Sequence, residues 1–351
     1  MNIQPPSLFG LTQSNRDFSN KDSWGKNQFN SSFPAALCAY LRSKSLDANY
    51  LTVSKGKFVH IPIPIDQVFG SQNNNIFYAF ESIYAPYNRY IKGKLPRTDL
   101  VIQDMKGKCL RGLEVKLTAL PDQTTFEKPE SEYGSEIVVR PDTIVYLACS
   151  IIEHLESINF DASQLYNLSL HDMDEPQEAI DLSEIILSTL RFIVNTLSCG
   201  GYSIPVLVQP VWKTKGKQPA LADHCLDVFV WSDTGFTTFI CDIATPVLVS
   251  RRMTRQYRTV VWLYKMISDY FFEGSFDHHQ IIDRLSYNLK NDKAFSSSGT
   301  TMNSYMRCDN LTKPRIKKSE IRNIILNDGH LLLSPERRFD AIIFNSPDIF
   351  E

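Results

Sequence analysis

The sequence predicts an α/β protein in which strands and flanking helices share one chain. Three observations predict it. Residues 95–118 read as two apolar, strand-like runs around a short Lys/Gly-rich break. Pro141 opens a run with apolar residues at Ile144, Ala148, Ile151, Leu155 and Ile158, which is helical spacing. Further strand-like runs over 204–212 and 226–231 are flanked by helical patterns over about 178–198 and 251–272.

The elements follow in order. Residues 1–33 are polar, rich in Asn, Ser, Gln and Lys, and read as an arm. Residues 34–48 suit a short helix. Residues 58–65 are extended, and Pro62 and Pro64 keep them off a central strand. Asn73, Asn74 and Asn75 can cap a helix running to about Tyr84, with Ile76, Phe80, Ile83 and Tyr87 on one face and Glu81 off it. The two motif strands come next, then an acidic loop over 122–134. Residues 136–139 read as a third strand leading into the Pro141 helix. A polar loop over 159–178 precedes the next helix, which buries Ile185, Ile186 and Leu190 and stops at Gly200-Gly201. Residues 232–235 read as a turn that sends 226–231 into a partner strand over 236–241. Arg251, Arg255 and Arg258 fall at i, i+4 and i+7, a basic stripe on a helix running to about Phe272. Asp277-His278-His279 has no matching metal-ligand set around it and reads as polar residues near a helix start. Residues 295–301 (Phe-Ser-Ser-Ser-Gly-Thr-Thr) read as a mobile loop. Lys313, Arg315, Lys317 and Lys318 form a second basic cluster. The expected division is an arm and lead-in over 1–72, a core over 73–160, and further helices and a hairpin over 161–351 that form one compact unit with that core.

The chain has 351 residues, 43% hydrophobic and 22% charged, enough for a sizeable core. No stretch approaches the ~20 apolar residues that span a bilayer. The first residues (Met-Asn-Ile-Gln-Pro-Pro) lack a basic start followed by an apolar run, so no secretory signal is expected. Seven cysteines stand singly, several in apolar runs, as free thiols buried in a reducing cytoplasm would. A net charge of −2 and a pI near 6.4 count against a nonspecific nucleic-acid binder. The distribution is segregated. Residues 84–116 hold eight Lys/Arg against three Asp/Glu, whereas 121–190 hold two against fifteen. That pattern permits a positive cleft on an acidic body; solvated faces are the alternative. No glycine-rich phosphate loop or nucleophile elbow is present.

The motif strands carry the chemistry. Asp99 opens the first apolar run, and Glu114-Val115-Lys116 lies inside the second. Side chains two apart on a strand share a face, so Glu114 and Lys116 point together, with Gly112 and Thr118. Leu113, Val115 and Leu117 point into a core. If Met105–Cys109 turns the chain between antiparallel strands, Asp99 returns beside Glu114. Two carboxylates beside an ammonium are what a metal-dependent phosphodiesterase needs. Mg²⁺ prefers oxygen ligands, which Asp99, Glu114 and the Val115 carbonyl could supply. Lys116 could orient a water or stabilise developing negative charge. The competing Asp104-Met105-Lys106 sits in the expected turn with no upstream acid at useful spacing. The alternative for the cluster is a strand-edge network of salt bridges.

Asp99…Glu114-x-Lys116 resembles the PD-(D/E)xK nuclease superfamily, with Thr98 where Pro is usual. The neighbourhood Arg-Thr-Asp-Leu-Val-Ile, Gly-Leu-Glu-Val-Lys-Leu-Thr and Val-Val-Arg-Pro-Asp-Thr-Ile is similar to the HindVP restriction endonuclease family, over roughly residues 70–160. The resemblance implies a restriction-endonuclease-like core, a mixed central sheet flanked by helices. It also implies Mg²⁺ dependence and cleavage of double-stranded DNA to 5′-phosphate ends at a degenerate six-base palindrome such as GRCGYC. It would make Asp99, Glu114 and Lys116 catalytic. In related nucleases a helical acid before the first catalytic strand helps bind metal, which makes Glu81 a candidate ligand; a solvent-facing acid is its alternative. DNA-contact candidates are Arg140, the basic stretch of Lys213, Lys215 and Lys217, and the stripe of Arg251, Arg255 and Arg258; a salt bridge to the acidic loop, an exposed turn, and pairing with the acidic half of the same protein are their respective alternatives. A homodimer would match a palindrome, and a cognate DNA methyltransferase would be the genetic partner. A repair or recombination nuclease of the same superfamily, and a DNA-binding protein with a lapsed site, remain open alternatives.

Overall fold

The computed structural model describes residues 45, 47–69, 76–104, 106–116, 137–165, 173–210, 214–215, 218–219, 224–225, 228–287, 295–297, 305 and 316–317. Its centre is a seven-stranded mixed sheet. The strands are β1 (Ala48–Ser54), β2 (Lys57–Ile63), β3 (Ile76–Ser82), β4 (Thr98–Asp104), β5 (Cys109–Val115), β6 (Pro205–Pro210) and β7 (Val228–Ser232). Their order is β2-β1-β7-β6-β5-β4-β3. β1 pairs with β7 and β5 with β6 in parallel; the other neighbours are antiparallel. One sheet therefore draws on residues 48–63, 76–115 and 205–232.

Four helices organise the core: α1 (Pro141–Ser157), α2 (Ser183–Cys199), α3 (Asp233–Ala244) and α4 (Arg255–Glu273). The first three pack on the sheet, and α4 packs against all three. β1 and β7, inside the sheet, are buried at nearly every position, as strands covered on both faces are. Val101, Leu207, Phe229 and Trp231 join the helical core, and Trp231 meets Phe239 with ring centroids 5.2 Å apart. Pro62 lies on β2 at the sheet edge, where a residue without an N–H is tolerated.

Local chemistry accounts for α1. Arg140 is extended at its N-cap, and Pro141 occupies the first turn, where its missing N–H costs nothing. Gly200 and Gly201 close α2, Gly201 with φ of 73°. Asp277 caps the short helix His278–Arg284 by accepting the Gln280 N–H, so the Asp-His-His run is a helix start. Of the cysteines, Cys149 and Cys241 are buried free thiols, Cys109 is half-buried and Cys199 is exposed.

Three local expectations are corrected. The helix expected over 76–84 is strand β3, paired antiparallel with β4. Ile-Phe-Tyr-Ala-Phe is rich in β-formers, and an adjacent strand with a free edge decides the ambiguity. The strand expected over 236–241 is part of α3. Ser232-Asp-Thr-Gly235 is a helix cap rather than a hairpin turn: the Ser232 Oγ accepts the Gly235 N–H at 2.8 Å. Phe236, Phe239 and Ile240 then bury one face at helical spacing. Phe295–Ser297 is not loop but a short strand, paired antiparallel with Ile137–Val139. The expected third strand is thus real, but its partner is not the central sheet. The helix expected over 34–48 lies mostly outside the described residues, and Ala48 opens β1.

The start of α3 sits tightly against β1. A Cβ at Gly235 would lie 2.4 Å from the Leu51 carbonyl oxygen, a backbone atom that cannot step aside cheaply. Gly235→Ala should therefore cost about 1–3 kcal/mol, read from urea denaturation; an unchanged midpoint would mean that α3 is not seated here.

Candidate active site

The β4–β5 hairpin places the site. Leu100 pairs with Leu113 and Val101 with Gly112, so the next rung sets Asp99 beside Glu114. The turn is built by Asp104, whose Oδ1 accepts the N–H groups of Lys106 and Lys108 at 2.8 and 2.9 Å. Gly107 supplies the left-handed residue, φ 80°. Asp104 and Lys106 are thus consumed in the turn. A Cβ at Gly112 would lie 3.0 Å from the Tyr84 Cβ, tighter than ordinary contact, so glycine lets the chain after β3 lie against β5 without displacing Tyr84.

Asp99, Glu114 and Lys116 meet on one face. The Lys116 Nζ lies 2.7 Å from the Glu114 Oε2 and 3.5 Å from the Asp99 Oδ2. The Asp99 Oδ2 also accepts the Val115 N–H at 2.9 Å. The Lys116 N–H donates to the Val208 carbonyl at 2.8 Å, tying the end of the motif to β6. Glu114 is 4% exposed and Asp99 partly exposed, so the cluster runs from the interior to the surface. Two hydroxyls complete the Glu114 surroundings. The Thr98 Oγ1 donates to Oε1 at 3.0 Å, and the Thr143 Oγ1, from the first turn of α1, donates to Oε2 at 3.3 Å.

Charge and burial oppose each other here. Burial raises the Glu114 pKa and the Asp99 charge adds to the rise, while Lys116 and its hydrogen bond pull it down. Burial works against the Lys116 ammonium, yet Glu114 and Asp99 more than offset it and hold the amine charged, at about 12. Asp142, beside Thr143 in α1, has its pKa raised, chiefly by burial. It feels Lys116, Arg140, Asp99 and the His279 ring.

The other expected residues are distributed differently. Arg140 is exposed at the start of α1, close enough for its charge to act on Lys116. Glu81 stands on a strand, not a helix. Its neighbours Phe80 and Ser82 pair with Leu100 and Thr98, which puts it at the register position beside Asp99; its side chain is outside the described residues. Lys213 and Lys217 also lie outside them, and Lys215 is described only as backbone in the two-residue pairing of Thr214–Lys215 with Gln218–Pro219. The expected basic stripe does not form. Arg251 precedes α4, has φ of 50°, and pairs with Asp181 while donating to the Ile180 carbonyl. Arg258 is fully buried, its guanidinium 4.8 Å over the Trp262 ring. Helical spacing alone could not tell that this arginine faces inward. Thr98, Asp142 and Thr143 carry no sequence signal as site residues. Thr143 follows the motif by 29 positions with no pattern to flag it.

The donor set fits a hard divalent cation. The Asp99 and Glu114 carboxylates are oxygen donors side by side, Asp99 partly exposed, and Mg²⁺ commonly takes one or two carboxylates with water and phosphate completing its shell. Among the described residues no group of three His, Cys, Asp or Glu side chains gathers, so a closed, zinc-type cage does not fit. Among those residues no helix is long and apolar enough to cross a membrane.

Comparison with known proteins gives a consistent family. The family model described as "HindVP restriction endonuclease" matches residues 24–350. The chain is similar to the "Probable type II restriction enzyme HindVP" of Haemophilus influenzae, 47% identical over all of this chain and 96% of that protein. It is also similar to the "Type II restriction enzyme HgiDI" of Herpetosiphon aurantiacus, 39% identical over 99% of this chain and 98% of that one. No solved structure matches.

The geometry makes Lys116 the counter-charge of a buried carboxylate. In Lys116→Met, Glu114 should hold a proton in the folded state that the unfolded chain releases. Stability is then retained below the unfolded carboxylate pKa and lost as pH rises. The variant should be near wild type at pH 4 and about 3–5 kcal/mol weaker at pH 8. An equal loss at both pH values in urea denaturation would show that Lys116 does not balance Glu114.

Proposed function

The chain belongs to the HindVP restriction endonuclease family, and from that premise we propose that it is a type II restriction endonuclease cutting double-stranded DNA to 5′-phosphate ends. The observation that carries this reading is the Lys116 ammonium held between the buried Glu114 and the partly exposed Asp99. Asp99, Glu114 and the Val115 carbonyl would hold Mg²⁺, with Glu81 as a further candidate from the neighbouring strand. When bound, the ion supplies a water of lowered pKa and a Lewis acid for the phosphate.

The chain's own groups do the rest. Lys116 is charged, so its Nζ acts as a hydrogen-bond donor rather than as a proton acceptor. It orients the attacking water and stabilises charge developing on the phosphate oxygens. Asp99 positions Lys116 from one side and Glu114 from the other. Arg140, exposed at the start of α1, would neutralise a neighbouring phosphate; Lys213, Lys215, Lys217 and Arg255 are further candidates for phosphate contact. Arg258 is not part of this interface, and Arg251 is engaged by Asp181.

The substrate can be specified more closely. A degenerate six-base palindrome fits two copies of the chain related by a two-fold axis. Base identity would be read in the major groove. A DNA methyltransferase protecting the host's own sites is the partner such an activity requires.

Incubation with unmethylated phage DNA and Mg²⁺ should give discrete fragments whose mapped ends share one sequence; smears or structure-dependent nicks would contradict the reading. Asp99→Ala, Glu114→Ala and Lys116→Ala should each slow cleavage by more than ~100-fold while sequence-specific binding survives. EDTA should block the wild type. Replacing Lys213, Lys215 and Lys217 together by Gln should weaken binding and lower the slope of log K against log salt by about 0.9 for each phosphate that is no longer neutralised. An unchanged slope would take that stretch out of the interface.

A further inference from the structure

We infer that Thr98 and Thr143 form a two-hydroxyl clamp that positions the Glu114 carboxylate for ion binding. The inference rests on the reading of Glu114 as a metal ligand. It adds two positioning residues from opposite walls of the site. Thr98 reaches Oε1 from β4 at 3.0 Å, and Thr143 reaches Oε2 from α1 at 3.3 Å. Both threonines are buried, at 1% and 0% exposure, so water does not compete for these bonds.

Thr143, in the first turn of α1, differs from threonines further along their helices. Thr196, Thr237, Thr238 and Thr259 each return their hydroxyl to the carbonyl four residues back. Thr143 turns its hydroxyl across to β5 instead. Thr98 occupies the position where the resembling motif usually has proline, a residue with no side-chain donor. Its departure from that pattern therefore adds a hydrogen bond to the buried acid.

A carboxylate offers about four acceptor directions. The Lys116 Nζ and the two hydroxyls take three, one on Oε1 and two on Oε2. The carboxylate is thereby fixed in rotation, with capacity remaining on Oε1. Hydrogen bonds of this kind that orient a metal-binding side chain are worth roughly 10- to 100-fold in affinity or activity.

The test uses the full-length chain and Mn²⁺ as probe, with free ion followed by its electron paramagnetic resonance signal. Thr98→Val and Thr143→Val should each weaken the Glu114-dependent Mn²⁺ binding by ~10- to 100-fold, and slow single-turnover cleavage comparably, with DNA affinity in EDTA unchanged. Thr98→Ser and Thr143→Ser keep the hydroxyl and should recover wild-type binding to within a few-fold. Valine variants that bind Mn²⁺ like the wild type overturn the clamp. So do serine variants as weak as the valine ones, because the methyl packing would then matter rather than the hydroxyl. Mn²⁺ binding that is identical in wild type and Glu114→Gln overturns it as well. Should Thr143→Val fail to fold, Thr98→Val reads the same clamp from the strand side. A wild type that binds Mn²⁺ through the hydroxyl-held Glu114 but cuts no DNA would remove the nuclease reading and leave the clamp standing.

Discussion

The structure around the site depends on one buried ammonium shared by two carboxylates. Glu114 is almost wholly enclosed, and an enclosed carboxylate without a counter-charge takes up a proton. The Lys116 Nζ at 2.7 Å stabilises its ionised form. That contact exists only because the β4–β5 hairpin is in one register. A slip of one residue would turn Glu114 and Lys116 to the opposite face and bring Leu113 and Val115 to the helices. Register is held from several directions. The turn at Gly107 fixes one end, the Val115 N–H on Asp99 fixes the other, and the Lys116 N–H on Val208 locks β5 to its parallel neighbour.

Helix α1 is part of the same constraint. Its first turn brings Thr143 onto Glu114, and its Tyr146 hydroxyl donates to the Pro96 carbonyl just ahead of β4 at 2.9 Å. The Tyr84 N–H in turn donates to the Tyr146 oxygen at 3.2 Å. A residue on the helix thus ties together the segment that follows β3 and the one that precedes β4. The helix is not a separate layer laid over a finished site. It supplies one wall, and its position is set by the strands whose side chains it orients.

What was legible in the sequence was what local periodicity determines. Asp99, Glu114 and Lys116 could be placed together because strand repeat and a short turn are enough to fix their geometry. Pro141 and the apolar stripe behind it were enough for α1. Where one pattern serves two structures, sequence alone misled. Residues 76–83 satisfy both a helical face and a strand composition, and the free edge of β4 decided. Ser232-Asp-Thr-Gly235 suits a hairpin turn and a helix cap equally, and the Leu51 carbonyl against Gly235 belongs to a strand far away along the chain. The parallel pairs β1–β7 and β5–β6 are long-range and leave no local mark. Thr143 was invisible for the same reason, since only the fold brings it to Glu114.

Linear charge counts transferred least well from sequence to structure, because pairing redistributes them. The acidic stretch over 121–190 looked like one negative face. Within it Glu156, Asp174 and Asp181 hold Arg89, Arg284 and Arg251, so part of that charge is spent inside the protein. Arg258 goes into the core above Trp262. Exposed ion pairs of this sort add little stability, but they remove basic groups from any field that could attract DNA. A chain of net charge −2 has no general attraction for a polyanion to fall back on. Among the described residues, Arg140 at the start of α1 is an exposed cation whose charge acts on Lys116. Each arginine taken up by an internal pair is one fewer for a polyanion's phosphates, and the salt dependence of such binding scales with the number of phosphates that are neutralised.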